Sequence, residues 1–481
     1  MNNFTMELVS RQLLQTRFPY TSLASYAVSK TTSTRTTLRR LNCNPLRFPH
    51  PAPLRRQHHS HTIPAMSSHS TINKAAPGVP FYTPAQEPPI GSAEDAGSPP
   101  PSLLQPIKVR GLEQQNRVVV SPMCQYSADD GHLTDYHLVH LGQLALHGAG
   151  LVFVESTAVE PRGRISPEDS GLWKDSQIAP LKRIVDFAHS QNAKIGIQIG
   201  HAGRKASTLA PWLGGTATKT IADKTANGWP DDVVSLSPIP FADDHAAPKE
   251  LTIAEIKGLV QAFADTARRA VTAGFDTIEI HAAHGYLLSS SLSPLSNTRT
   301  DDYGGSFENR TRLLKEVIGA VRGVIPETMP LWVRVSGSEW MESGGAPSWD
   351  LASTIRLAKE LPALGVDVLD VSSGGNSAAQ RIPHDNKRFQ SDLAKAVREA
   401  LAAEGSPLLI GTVGFITEGQ TAASLVQEGG ADQAADFALV GRQFLREPEW
   451  VLRAAHELKV KAKWPNQYHR AGPPASFERH F

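Results

Sequence analysis

The chain is short of cysteine, of long apolar runs and, over its first 86 residues, of acid. Cys43 and Cys124 are the two cysteines among 481 residues. Two thiolates exclude a four-cysteine iron–sulfur cluster or zinc site and give no disulfide framework. No segment approaches the roughly 18 apolar residues that cross a bilayer; even Leu151–Val154 meets a charge at Glu155. Residues 1–86 hold ten Lys/Arg and one acid, Glu7, which leaves 38 basic and 46 acidic residues, net −8, for the rest. An acidic body argues against nucleic acid as a partner, because phosphate binding needs concentrated positive charge. What is present, 40% hydrophobic and 20% charged residues at a net charge of +1, suits a globular protein with a substantial core.

Up to about residue 105 the sequence is rich in Ser, Thr, Pro and His, lacks a sustained apolar period and ends in Pro99-Pro100-Pro101. That composition predicts a disordered basic leader over residues 1–105. Its Arg- and Ser-rich, acid-poor beginning, with Phe4, Leu8, Leu13, Leu14 and Phe18, has the character of a mitochondrial transit peptide. Met66 offers a second start that would leave a cytoplasmic protein, so both compartments stay open. Residues 106–470 are expected to fold, followed by a tail over 471–481.

From residue 106, short β-rich runs alternate with helical-period segments, the pattern of a parallel sheet wrapped by helices. The expected strands are Arg117–Met123, Gly150–Ser156, Lys194–Gly200, Thr277–His281, Leu331–Ser336, Val366–Ser372, Leu408–Thr412 and Phe437–Gly441. Between the third and fourth, Thr252 and Glu255 form a capping box. Ile256, Leu259, Val260, Phe263 and Ala267 give the apolar stripe, and Gly274 suits the end of the helix. Eight such units predict an α/β fold, a (β/α)₈ TIM barrel. A doubly wound sheet competes, but no G-x-G-x-x-G follows an early strand.

Barrel enzymes place chemistry at the carboxyl ends of the strands. Gly411, Gly414, Gly441 and Arg442 lie after the last two, where backbone N–H groups can hold a phosphate. His281 and His284 lack the further ligand that would complete a metal site, so no metal is expected. They can instead donate hydrogen bonds to a carbonyl or nitro oxygen, and Tyr286 can act as general acid. Arg334 would put a permanent cation in the barrel mouth. It needs an anion, either a structural carboxylate or a ligand that becomes anionic on reduction. Cys124 could be a nucleophile, a core thiol or a group that tunes a cofactor; no neighbour marks a depressed thiol pKa.

Ser121-Pro122-Met123-Cys124-Gln125-Tyr126, Gln198-Ile199-Gly200-His201-Ala202-Gly203-Arg204-Lys205 and His281-Ala282-Ala283-His284-Gly285-Tyr286-Leu287, continuing through Ser293–Ser306, resemble the Old Yellow Enzyme family of FMN-dependent ene-reductases. The match runs in order from about residue 104 to 470. Cys124 with Tyr126 resembles the family's thermophilic-like branch. The resemblance implies bound FMN, NADPH as electron donor and an activated alkene as small-molecule substrate. Pro122, Met123, Cys124 and Ser156 would line the flavin, Gln198 would bond its pyrimidine edge, and Arg334 would stabilise charge at N1. Gly414, Gly441 and Arg442 would hold the phosphate. His281 and His284 would bind the substrate oxygen, Tyr126 would line the substrate face, and hydride would pass from flavin N5 to the β-carbon while Tyr286 protonates the α-carbon. Arg470 occupies the place from which this branch reaches a neighbouring subunit, which leaves a homo-oligomer open.

Three stretches depart from the family pattern. Gly430–Phe437 is long enough to threaten a register slip at Arg442, the tail after Arg470 is extended, and the insertion between Lys205 and Glu250 is expected to cap the pocket. The rival readings are a dienoyl-CoA-reductase-like or trimethylamine-type flavoenzyme barrel, a non-catalytic flavin-binding scaffold and a flavin-free hydrolase. The first needs added domains and cluster cysteines, the second predicts loss of Tyr286, His281 and His284, and the third lacks a nucleophile–base pair.

Overall fold

The computed structural model describes residues 72–94, 97–214, 220–345 and 347–471, all within one compact unit. The expected transit segment before Met66, and all of the 471–481 tail except Ala471, lie outside them. Eight parallel strands close into a barrel: β1 (Val118–Val120), β2 (Leu151–Ala158), β3 (Ile195–Gly200), β4 (Thr277–Ala282), β5 (Leu331–Ser336), β6 (Val368–Ser372), β7 (Leu409–Val413) and β8 (Phe437–Val440). Each pairs with the next, and β8 returns to β1. The expected TIM barrel is therefore found, and the open sheet is not. The first strand is shorter than its predicted Arg117–Met123. Ser121 N–H still donates to Val440 O at 2.9 Å, but Pro122 has no N–H to continue the ladder, and the chain leaves as a loop.

Helix Ile253–Ala273 shows how sequence sets the outer layer. The Thr252 hydroxyl accepts from Glu255 N–H and the Glu255 carboxylate accepts from Thr252 N–H, while Gly274 ends the helix at φ 93°. Ile256, Leu259, Phe263 and Ala267 are buried on one face, and Val260 packs partly against the same core.

Inside the barrel, alternate residues of each strand point inward, so the sequence period of two stacks the interior in layers. Val119, Leu151, Phe153, Trp332, Val368, Phe437 and Leu439 form an apolar floor, with ring centroids of Phe153 and Phe437 at 5.5 and 4.9 Å from Trp332. Two residues further along β5 and β6 stand Arg334 and Asp370, side by side in register. Two residues on again come Ser336 and Ser372, at the mouth.

Residues 72–94 and 97–105, which composition assigned to a disordered leader, pack on this barrel. Ile90, Leu103 and Leu104 are buried. Gly91 N–H donates to Lys463 O, Lys463 N–H to Ser92 O and Glu94 N–H to Lys461 O, so the segment pairs with chain near the C-terminus. Gln86 is tied to Asn466 and Gln467. These long-range backbone bonds replace the periodic apolar pattern whose absence suggested disorder. Among the described residues no helix is long and apolar enough to cross a membrane.

Candidate active site

Above the apolar floor the inward positions turn polar. Arg334 is buried with Glu279 and Asp370: its Nε bonds Asp370, lies 3.8 Å from Glu279 Oε1, and its Nη2 donates to Ser121 Oγ at 2.7 Å. The structural carboxylate that Arg334 required is thus present twice. Burial pushes the Glu279 carboxyl up to about 8 and the Asp370 carboxyl upward, although the guanidinium opposes both shifts. Gln198 on β3 donates its amide to Glu279 Oε1 at 2.7 Å, which leaves its own carbonyl oxygen to accept from a ligand.

At the end of β4 three rings meet. His281 and His284 lie 5.2 Å apart by centroid, and His281 lies 5.0 Å from Tyr286, each pair edge to face. Burial pushes both imidazoles down, His281 far down and His284 to about 3, helped by His284, Arg334 and Lys205 near the first and by Arg334 and Lys205 near the second. Both rings are neutral in the working range. His281 Nδ1 accepts from Ala283 N–H at 3.2 Å, so its proton sits on Nε2. His284, held at φ 63°, donates its N–H to Ser336 Oγ and places Nε2 2.7 Å from Ser372 Oγ. The Tyr286 hydroxyl is pushed up by burial and by Cys124, Asp169 and Tyr126, so it stays protonated and able to donate. Among the described residues no group of His, Cys, Asp and Glu side chains is arranged to hold a metal.

Lys205 carries a role that its sequence motif does not reveal. It is half-buried against the site, donates to His284 O and Gly375 O at 3.0 and 2.9 Å, and sits 5.2 Å over the Tyr286 ring; desolvation of its ammonium and Arg204 lower it to about 8. The insertion after it reaches the site: Trp212 meets Tyr126 edge to face at 5.4 Å and Phe241 lies under the Lys205 ammonium. Glu279 and Asp370 were also missed. A charge within an apolar strand, the signal that marked Arg334, would have found them.

Cys124 is half-buried and unpaired by disulfide; burial, then Asp169 and Glu155, push its thiol well up. It is expected to react with iodoacetamide at pH 8 about tenfold or more slowly than a small free thiol, as followed by mass spectrometry of the Cys124 peptide. Modification at the free-thiol rate would show a thiolate there.

The ends of β7 and β8 supply the anion cradle. Among the described residues, no hydrogen bond is made by the N–H groups of Gly414, Gly441 or Arg442. Gly414 is at φ 116°, backbone that glycine adopts most readily. A methyl group on Gly441 would sit 3.6 Å from Met123 Sδ, which places this cradle beside the first-strand loop. The long approach to β8 causes no slip. Asp436 N–H donates to Ile410 O at 2.7 Å, the ladder pairs Gly411 with Phe437 and Thr412 with Ala438, and Arg442 opens the helix that follows. Ser156 lies near His281 across Gly200, whose added methyl would be 3.3 and 3.1 Å from Ser156 Oγ and His281 Cβ. Free backbone donors at one edge, the Gln198 carbonyl and the Arg334 cation suit the phosphate, imide and electron-accepting ring of FMN.

The sequence pattern of the NADH:flavin oxidoreductase / NADH oxidase family matches residues 102–461. A NADH:flavin oxidoreductase of Gibberella zeae is 48% identical over 403 residues, covering 82% of this chain and 94% of the relative. An NADPH dehydrogenase of Bacillus subtilis is 40% identical over 370 residues, 76% of this chain and 98% of that one. Among solved structures, morphinone reductase superposes with a TM-score of 0.58 at 25% identity, covering 76% of this chain and 92% of its own. The chain belongs to the NADH:flavin oxidoreductase / NADH oxidase family, as an FMN-dependent NAD(P)H oxidoreductase of the Old Yellow Enzyme type.

Proposed function

We propose that this oxidoreductase reduces the C=C bond of activated alkenes, enones above all. The observation that carries the reading is the meeting of His281, His284 and Tyr286, two neutral imidazoles beside one protonated phenol. FMN, recharged by NADPH, supplies the hydride when bound. Pro122, Met123, Cys124 and Ser156 would line it, Gln198 and Arg334 would hold its polar edge, and Gly414, Gly441 and Arg442 would hold its phosphate. The N–H of His281 Nε2 binds the enone oxygen, where negative charge gathers as the β-carbon is reduced, and His284 adds a second donor. Tyr286 then gives its proton to the α-carbon. The Lys205 ammonium over its ring favours the phenolate left behind. Tyr126 lines the substrate face, with the Trp212 ring against its own. Cys124 with Tyr126 supports placement in the thermophilic-like branch, and the name of the Bacillus relative supports NADPH as donor.

An anaerobic absorption spectrum tests the reading. A yellow flavin band that bleaches with NADPH and returns with cyclohexenone is expected. A reduced band that cyclohexenone leaves bleached, while dioxygen restores it, would overturn the alkene assignment and leave a flavin oxidoreductase of other substrate.

A further inference from the structure

The two imidazoles at the mouth are held by different means. The proton of His281 is fixed on Nε2 by the Ala283 N–H that bonds its Nδ1, whereas His284 commits Nε2 to Ser372 Oγ at 2.7 Å. A neutral imidazole carries one N–H. If that proton lay on Nε2, His284 would offer a lone pair at Nδ1, which repels a carbonyl oxygen.

The surroundings of Ser372 decide between the two forms. Gln390, on the helix Phe389–Ala402, donates its amide nitrogen to Val413 O at 2.8 Å, so its carbonyl oxygen faces the two serines. Ser373 Oγ donates to that oxygen at 2.9 Å, whereas Ser372 Oγ stands 3.4 Å away. Were Ser372 to accept from His284, its own proton would go to the Gln390 oxygen across 3.4 Å, beyond the roughly 2.5–3.0 Å usual for an O–H···O bond and shared with the shorter bond from Ser373. Ser372 is buried, and a buried hydroxyl without a good acceptor is costly. The better-satisfied arrangement sends the Ser372 proton to His284. A flip of the ring about its Cβ–Cγ bond would turn a carbon toward Ser372 in place of Nε2 and lose that hydrogen bond.

We propose that Ser372 is a positioning residue: its hydroxyl donates to His284 Nε2 and thereby keeps the His284 proton on Nδ1, as the second donor to the substrate oxygen. The inference rests on the enone reading for the identity of that oxygen, and on the hydrogen bonds alone for the tautomer. In this role Ser372 acts on the substrate through the histidine.

The experiment is nitrogen-15 NMR of the holoenzyme labelled at histidine, where the two neutral tautomers differ in their ring-nitrogen shifts. His284, identified by the signal missing from His284→Asn, is expected as the Nδ1–H form. In Ser372→Ala that signal moves toward the Nε2–H form, and kcat/KM for cyclohexenone falls by about tenfold or more. Ser372→Thr keeps the hydroxyl and restores both. FMN content and melting temperature, measured alongside, separate this from misfolding, and the wild-type spectrum needs no variant. An Nε2–H form in the wild type, or a tautomer that Ser372→Ala leaves unmoved, overturns the proposal whatever the activity. If the wild type reduces no enone, the activity reading fails, and an Nδ1–H form that shifts in Ser372→Ala still supports the serine's part.

Discussion

Tyr286→Phe is expected to slow alkene turnover by about 10²–10⁴-fold, the usual worth of a positioned general acid, while NADPH bleaches the flavin at close to the wild-type rate. The phenylalanine keeps the ring that packs against His281 and beneath Lys205, so the loss is confined to the hydroxyl. Stopped-flow measurement of the two half-reactions separates them. An unchanged rate of flavin reoxidation by cyclohexenone would remove Tyr286 as proton donor and assign that role to water or to another acid. The pH profile carries the same information. Burial raises the tyrosine above its ordinary range, so the protonated donor form persists as pH rises, and no alkaline fall from Tyr286 is expected between about pH 6 and pH 9.

The barrel was legible because each strand is an apolar run of β-forming residues bounded by turns, a local property. Leu331–Ser336 was predicted to the residue for that reason. What is non-local was not legible. Residues 72–105 look disordered by composition, yet Ile90 and Leu103 are buried and backbone bonds run to residues 461 and 463, far along the chain. The same division holds in the site. His281, His284 and Tyr286 come from one segment, and their meeting follows from spacing at a strand end. Arg334 was visible as a cation needing an anion, but which carboxylates answer it depends on strand register, and Asp370 stands beside it only because β5 and β6 pair as they do. Ser372 was unremarkable in sequence, since a serine at a strand end carries no local signal of the histidine it meets.

Arg334→Met is expected to destabilise the barrel by about 3–5 kcal/mol, because it strips the cation from a buried pair of carboxyls and leaves them uncompensated. Glu279 and Asp370 are fully buried, and one oxygen of each has no partner, so Arg334 is the main charge that favours their ionised forms. Even with it, burial keeps both carboxyls above the ordinary range; without it both rise further. A raised acid binds its proton in the folded state when the unfolded chain has released it, so stability falls as pH rises from the unfolded pKa of about 4 toward the folded one. Urea unfolding should therefore show a loss in Arg334→Met that is larger at about pH 8 than at about pH 5.5, and steeper with pH than in the wild type. A midpoint unchanged at the higher pH would mean that the carboxyls need no cation, and the charge argument would fail. The triple variant with Glu279→Gln and Asp370→Asn separates charge from packing. Its side chains keep nearly the same shape but carry no charge, so it should recover part of the stability and lose the added pH dependence, whereas a packing defect left by the loss of the guanidinium would persist at every pH.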